Sequence, residues 1–124
     1  FEQISINHNQ SGDGDVDGGS EASIAINANP YVNMVNIYIN ITGENDALPS
    51  NSEVTVTISG PSGTEFSESY SLNNGQTQSI KFSTNEEELV GEWELLLESD
   101  NQASPFSPSF TYDYDWYSYY DLSG

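Results

Sequence analysis

Residues 35–42 read Val-Asn-Ile-Tyr-Ile-Asn-Ile-Thr. Apolar side chains hold every odd position; amides, a phenol and a hydroxyl hold every even one. A strand turns successive side chains to opposite faces, so as a strand this octet has one oily face and one wet face. Helical winding would smear both around the axis. The octet therefore predicts a half-buried strand with Val35, Ile37, Ile39 and Ile41 in a core and Asn36, Tyr38, Asn40 and Thr42 outside.

The same period runs outward in both directions. It carries Ile4 and Ile6; Ile24, Ile26 and Ala28; Val54, Val56 and Ile58; Phe66, Tyr70 and Leu72; Ile80 and Phe82; Trp93, Leu95 and Leu97; and Phe110, Tyr112, Tyr114 and Trp116. Gly60-Pro61-Ser62-Gly63 and Asn73-Asn74-Gly75 punctuate the runs with turn chemistry, proline presetting φ and Asn and Gly accepting positive φ. About eight short strands with such breaks predict an all-β chain. The fold class is a single antiparallel β-sandwich, immunoglobulin-like or jelly-roll, with at most one helical turn near Asn85 to Leu89. The expected divisions are an N-terminal strand (1–7) available for exchange, an acidic Gly/Asp loop (8–21), a core (22–116) and an aromatic C-terminal extension (117–124).

The chain has 124 residues, 20 acids, one lysine (Lys81) and no arginine, for a formal charge of −19. Nucleic acid is excluded as an expected partner, because phosphate binding needs clustered Lys and Arg. No apolar run approaches the ~20 residues of a membrane helix, so membrane insertion is not expected either. The acidity suits a salt-adapted or a generic secreted protein, which places the chain outside the cell or on its surface. A start at Phe1 rather than methionine reads as a processed chain. Absence of cysteine removes disulfides and thiol chemistry.

Residues 11–21, SGDGDVDGGSE, space Asp13, Asp15 and Asp17 alternately and place Gly18 after them. This matches the first half of a calcium-loop pattern, in which hard oxygens converge around a bend made by glycine. Position twelve is Ile24 rather than glutamate, with Glu21 at position nine, and strands replace the flanking helices. The expected cofactor is calcium on Asp13, Asp15, Asp17 and Glu21; an unliganded acidic linker is the alternative. His8 reads as a surface residue at a strand end.

The alternating part of the run 107–124 would make a strand on the order of 40 Å, longer than a small sandwich needs, so its second half, with Tyr117, Tyr119 and Tyr120, is expected to project beyond the domain. A projecting aromatic strand invites a receiving subunit. Ile4, Ile6, Tyr114, Trp116, Tyr117, Tyr119 and Tyr120 are accordingly the expected assembly interface. The same rings would alternatively form a stacking platform for carbohydrate, or close an ordinary last strand. Asn9 and Asn40 head the sequons Asn9-Gln10-Ser11 and Asn40-Ile41-Thr42, which are glycosylation acceptors or plain surface amides. With one histidine and no cysteine, no nucleophile–base pair emerges, and Glu92, Glu94 and Glu98 read as a solvated strand face. The chain is expected not to be an enzyme.

EVTVTISGPSGTEF followed by VGEWELLLES, over roughly residues 53 to 98, resembles secreted β-sandwich modules of the pre-peptidase C-terminal and proprotein P-domain type. That resemblance implies a non-catalytic module that binds calcium. Two candidate exchange strands on a short chain resemble the donor-strand subunits of prokaryotic extracellular filaments. The expected function is a secreted subunit that homopolymerises by strand exchange; the alternative is a binding module for glycans or another cell-surface ligand.

Overall fold

The computed structural model describes residues 4–27, 34–46, 50–84, 91–99 and 108–121, with backbone alone for 4–9, 27 and 119–121. Eight strands follow one another: β1 (Ile4–Val16), β2 (Glu21–Asn27), β3 (Met34–Glu44), β4 (Ser52–Gly60), β5 (Gly63–Leu72), β6 (Thr77–Thr84), β7 (Glu92–Ser99) and β8 (Ser109–Asp121). The helical turn expected at Asn85 to Leu89 lies outside the described residues.

The strands form two antiparallel sheets, ordered β1-β8-β3-β6 and β2-β7-β4-β5. Every connection except the β4–β5 hairpin crosses between sheets, which is the eight-stranded jelly roll and not the immunoglobulin arrangement. The alternation read in the sequence becomes the core. Val35, Ile37, Ile39 and Ile41 from β3 face Val54, Val56 and Ile58 from β4 and Trp93, Leu95 and Leu97 from β7, all buried. Each such side chain contributes about 1.5–3 kcal/mol on leaving water. Trp116 of one sheet meets Trp93 of the other edge to face at 5.3 Å, and Phe82 extends the cluster.

Buried polar groups lock one end of the sandwich. The Asn45 amide nitrogen donates to the Leu72 carbonyl at 2.9 Å, and the Asn45 backbone N–H donates to Asn74 Oδ1 at 3.0 Å. Ser52 Oγ donates to the Ser109 carbonyl at 2.7 Å. The turn beneath them needs Gly75 at φ +78°, a conformation that costs a side-chain-bearing residue strain.

Two expectations are corrected here. Residues 8–16 are not a loop: β1 runs unbroken in its pairing with β8 from Ile4↔Asp121 to Val16↔Phe110, apart from a bulge between His8 and Gln10. The turn is confined to Asp17–Ser20. Nor does the C-terminal run project. β8 lies inside its sheet with β1 on one side and β3 on the other, and both ladders reach Tyr119.

Candidate ligand face on the β1-β8-β3-β6 sheet

The glycines and aspartates of β1 divide by face. Gly12 and Gly14 lie opposite Tyr114 and Tyr112, and a β-carbon on either would touch those rings, at 3.0 Å from Tyr114 Cε1 and 2.8 Å from the Tyr112 hydroxyl. The tyrosines cross the strand over the glycines, and Gln10 Nε2 donates to the Tyr114 hydroxyl at 2.7 Å. Asp13 and Asp15, one step out of phase, therefore point to solvent. The Gly-Asp alternation is the inward and outward halves of a strand.

Register then assembles the outer face into rows running across the four strands from β6 to β1. The first is Thr77, Thr42, Thr111, Asp15; the second Ser79, Asn40, Asp113, Asp13; the third Lys81, Tyr38, Asp115, Ser11; the fourth Ser83, Asn36 and Tyr117. The grid measures ~14 Å across the strands and ~20 Å along them. Hydrogen bonds knit the rows. Ser79 Oγ donates to Asn40 Oδ1 at 2.7 Å, and Asn40 Nδ2 donates to Asp113 Oδ1 at 2.9 Å. The Thr42 and Thr77 hydroxyls pair at 2.8 Å. Tyr38 and Tyr117, both half-buried, meet edge to face at 5.8 Å, and Lys81 Nζ lies 5.7 Å from the Tyr38 ring centroid.

A shallow cavity of about 380 Å³ opens over the β3, β8 and β1 part of the first two rows, bounded by Asp13, Gly14, Asp15, Asn40, Thr42, Thr111, Tyr112 and Asp113. Its carboxylates only accept hydrogen bonds. Asp13 stands directly opposite Asp113, a like-charge pair that costs stability in a ladder. Burial pushes the Tyr112 phenol up from its ordinary pKa of 10.0, helped by Tyr114 and by the negative charge of Asp13 and Asp15.

The expected site residues separate accordingly. Asp13 and Asp15 share this face, Asp17 sits in the turn, and Glu21 opens β2 in the other sheet. The four do not gather as one ligand set, and among the described residues no group of three or more metal-ligating side chains does. Tyr114 and Trp116, expected at an interface, are buried in the chain's own core at 6% and 0% exposure, so neither can meet a neighbour or a sugar. Tyr117 is on the outer face; Ile4, Ile6, Tyr119 and Tyr120 are placed by their backbone alone, on β1 and β8. Asn40 lies half-buried in mid-face with both ends of its amide engaged, and Asn9 falls at the β1 bulge. Asp113 and Tyr38 were not singled out in the sequence; the one signal for them was their outward parity.

No family model and no curated protein matches the sequence. Solved structures do match the fold. Dimeric latent PorU from Porphyromonas gingivalis is similar over 98% of this chain, at TM-score 0.61 and 12% identity. A CBM4 module is similar over 79% of it, at TM-score 0.52 and 12% identity. The disulfide-linked pili formed by Bacillus endospore appendages are similar over 99% of this chain and 92% of theirs, at TM-score 0.51 and 12% identity. This chain spans only 13% of PorU and 60% of the CBM4 structure. At these identities the likeness is one of fold: the chain is an eight-stranded antiparallel β-sandwich of the kind found in binding modules and in a pilus subunit.

Proposed function

We propose that this chain is a non-catalytic extracellular binding module whose β1-β8-β3-β6 outer face takes a polyhydroxylated ligand, a carbohydrate. The observation that carries this reading is the placement of the acceptor-rich cavity and the half-exposed Tyr38 and Tyr117 rings on one face of the same sheet. Sugar hydroxyls are donors that Asp13, Asp15 and Asp113 can receive, and charge-assisted hydrogen bonds of this kind are the stronger ones. Pyranose rings present C–H faces that pack on phenol rings, and such mixed apolar and polar lining is typical of small-ligand sites.

A glycan array followed by calorimetry tests it. Binding is expected for the parent chain and loss of binding for Tyr117→Ala and Asp113→Asn, with melting temperature near that of the parent. No glycan bound at millimolar concentration, or full binding by Tyr117→Ala, would sink the reading.

A second reading, a homopolymerising structural subunit, is favoured by one observation: β1 is an edge strand with β8 as its only ladder partner among the described residues. Exchange of β1 into a neighbour would keep every ladder bond. Under this reading the purified chain contains dimers that persist on dilution, and a synthetic peptide of residues 4–16 displaces β1 and dissociates them. Dimers absent at all concentrations would remove it.

A further inference from the structure

We infer that copies of this chain associate head to tail without exchanging any strand, β6 of one copy pairing with β1 of the next to continue the sheet. Both strands are edges of the same sheet, and among the described residues β6 pairs with β3 alone and β1 with β8 alone. Each neighbouring pair within the sheet is antiparallel, so β6 runs opposite to β1. A copy displaced by simple translation therefore presents its β1 antiparallel to the β6 it meets. The alternation continues with no rotation of the sheet.

Charge selects this pairing over the two like-edge pairings, β1 with β1 and β6 with β6. Lys81 is the only lysine or arginine in the sequence, and it stands exposed on the outer face of β6 between Ser79 and Ser83. The outer face of β1 presents Asp13 and Asp15, also exposed. Joining β1 to β1 would set these aspartates against each other, and joining β6 to β6 would set Lys81 against itself. The edges of the second sheet offer acids only, Glu21 on β2 and Glu65 and Glu68 on β5. Lys81 would also meet a glutamate if β6 met β2 or β5 of a second copy, but those strands belong to the other sheet, and β1 is the acidic edge that continues the same sheet by simple translation. The contact is heterologous and leaves a fresh β6 and a fresh β1 at the two ends, so it propagates.

The net charge of −19 opposes any such contact at long range. Salt removes that opposition first: near 1 M the screening length is about 3 Å, so distant repulsion vanishes while groups in contact still feel each other. Association is therefore a high-salt property of this chain.

Zero-length carbodiimide coupling in about 1 M salt tests the contact. Within one copy Lys81 and Asp13 or Asp15 lie on opposite edges, ~14 Å apart or more, too far for direct amide formation. Covalent dimers and longer ladders whose Lys81 is joined to Asp13 or Asp15 by peptide mass spectrometry are the expected result. Lys81→Arg blocks the coupling yet sediments like the parent, while Lys81→Glu lowers the associated fraction about tenfold. Dimers joined from Lys81 to Glu21, Glu65 or Glu68, no covalent dimers at all, or unchanged sedimentation of Lys81→Glu would each overturn the inference.

Discussion

Replacing Trp116 by phenylalanine is expected to cost almost nothing, although Trp116 is fully buried at the centre of the sandwich. Its indole Nε1 is buried and has no hydrogen-bond partner among the described residues. An orphaned donor of this kind costs about 1–3 kcal/mol, and phenylalanine removes it. Against that gain, the smaller ring buries about 50 Å² less apolar surface, worth ~1.2 kcal/mol at about 25 cal/mol per Å². The space left adds ~1 kcal/mol. The two sides nearly cancel, and the edge-to-face contact with Trp93 survives in a phenyl ring. Trp116→Ala keeps the same gain but loses the ring contact and opens a far larger cavity, for a net loss of about 3 kcal/mol. Urea denaturation followed by far-ultraviolet circular dichroism separates the two variants by their midpoints at a common slope. A Trp116→Phe loss as large as that of Trp116→Ala would refute the reasoning, since it would show that the indole N–H is satisfied.

Gly14→Ala places a β-carbon 2.8 Å from the Tyr112 hydroxyl and 3.1 Å from its ring. Thermal melting should show a loss of about 1–3 kcal/mol, partly recovered by adding Tyr112→Phe. Asp13→Asn relieves the like-charge pair with Asp113 and should stabilise by ~0.2–1 kcal/mol in urea. The Tyr112 and Tyr70 phenols both titrate above their ordinary 10.0, burial being the larger cause in each. The unfolded chain thus releases these protons first, so their stabilisation is complete below pH 10.0 and is lost as pH rises through the folded values. An alkaline denaturation series should show that decline, and Tyr112→Phe should make it shallower. Raising NaCl from about 0.1 M to about 1 M shortens the screening length from about 10 Å to about 3 Å, and the melting temperature should rise as the −19 charge is screened.

Strands were legible wherever inward positions carry apolar side chains. β3, β4 and β7 alternate in burial as their sequences alternate in polarity. The second half of β1 was not legible, because its inward positions are Gly12 and Gly14. The apolar group that covers each belongs to β8, a hundred residues away in sequence, and no local window contains it. The same stretch therefore reads as a loop in the sequence: glycine alternating with aspartate fits a loop and a strand alike. The face was half legible. Parity alone turns Asn40, Tyr38, Asp113 and Asp115 outward. That they stand in rows with Asp13 and Lys81 depends on strand order, which is set by contacts between distant segments. Strand order also decides the fate of the C-terminal aromatics. Their alternation fits an edge that projects or an interior strand equally well, and only the neighbours β1 and β3 on either side make β8 interior.

The adjacency of β1 and β8 also bears on how the molecule is made. Ile4 pairs with Asp121, so β1 is synthesised about a hundred residues ahead of β8, its one ladder partner among the described residues. At about 5–20 residues per second, β1 waits on the order of ten seconds before its partner exists. During that wait its aspartates and glycines keep it soluble and disinclined to pair with itself, whereas an isoleucine-rich strand in the same place would be an aggregation hazard. This sheet is complete only once β8 has been made, because β8 lies between β1 and β3 in the strand order. A composition that looked like a ligand loop also gives the growing polypeptide an edge that stays open until its final strand arrives.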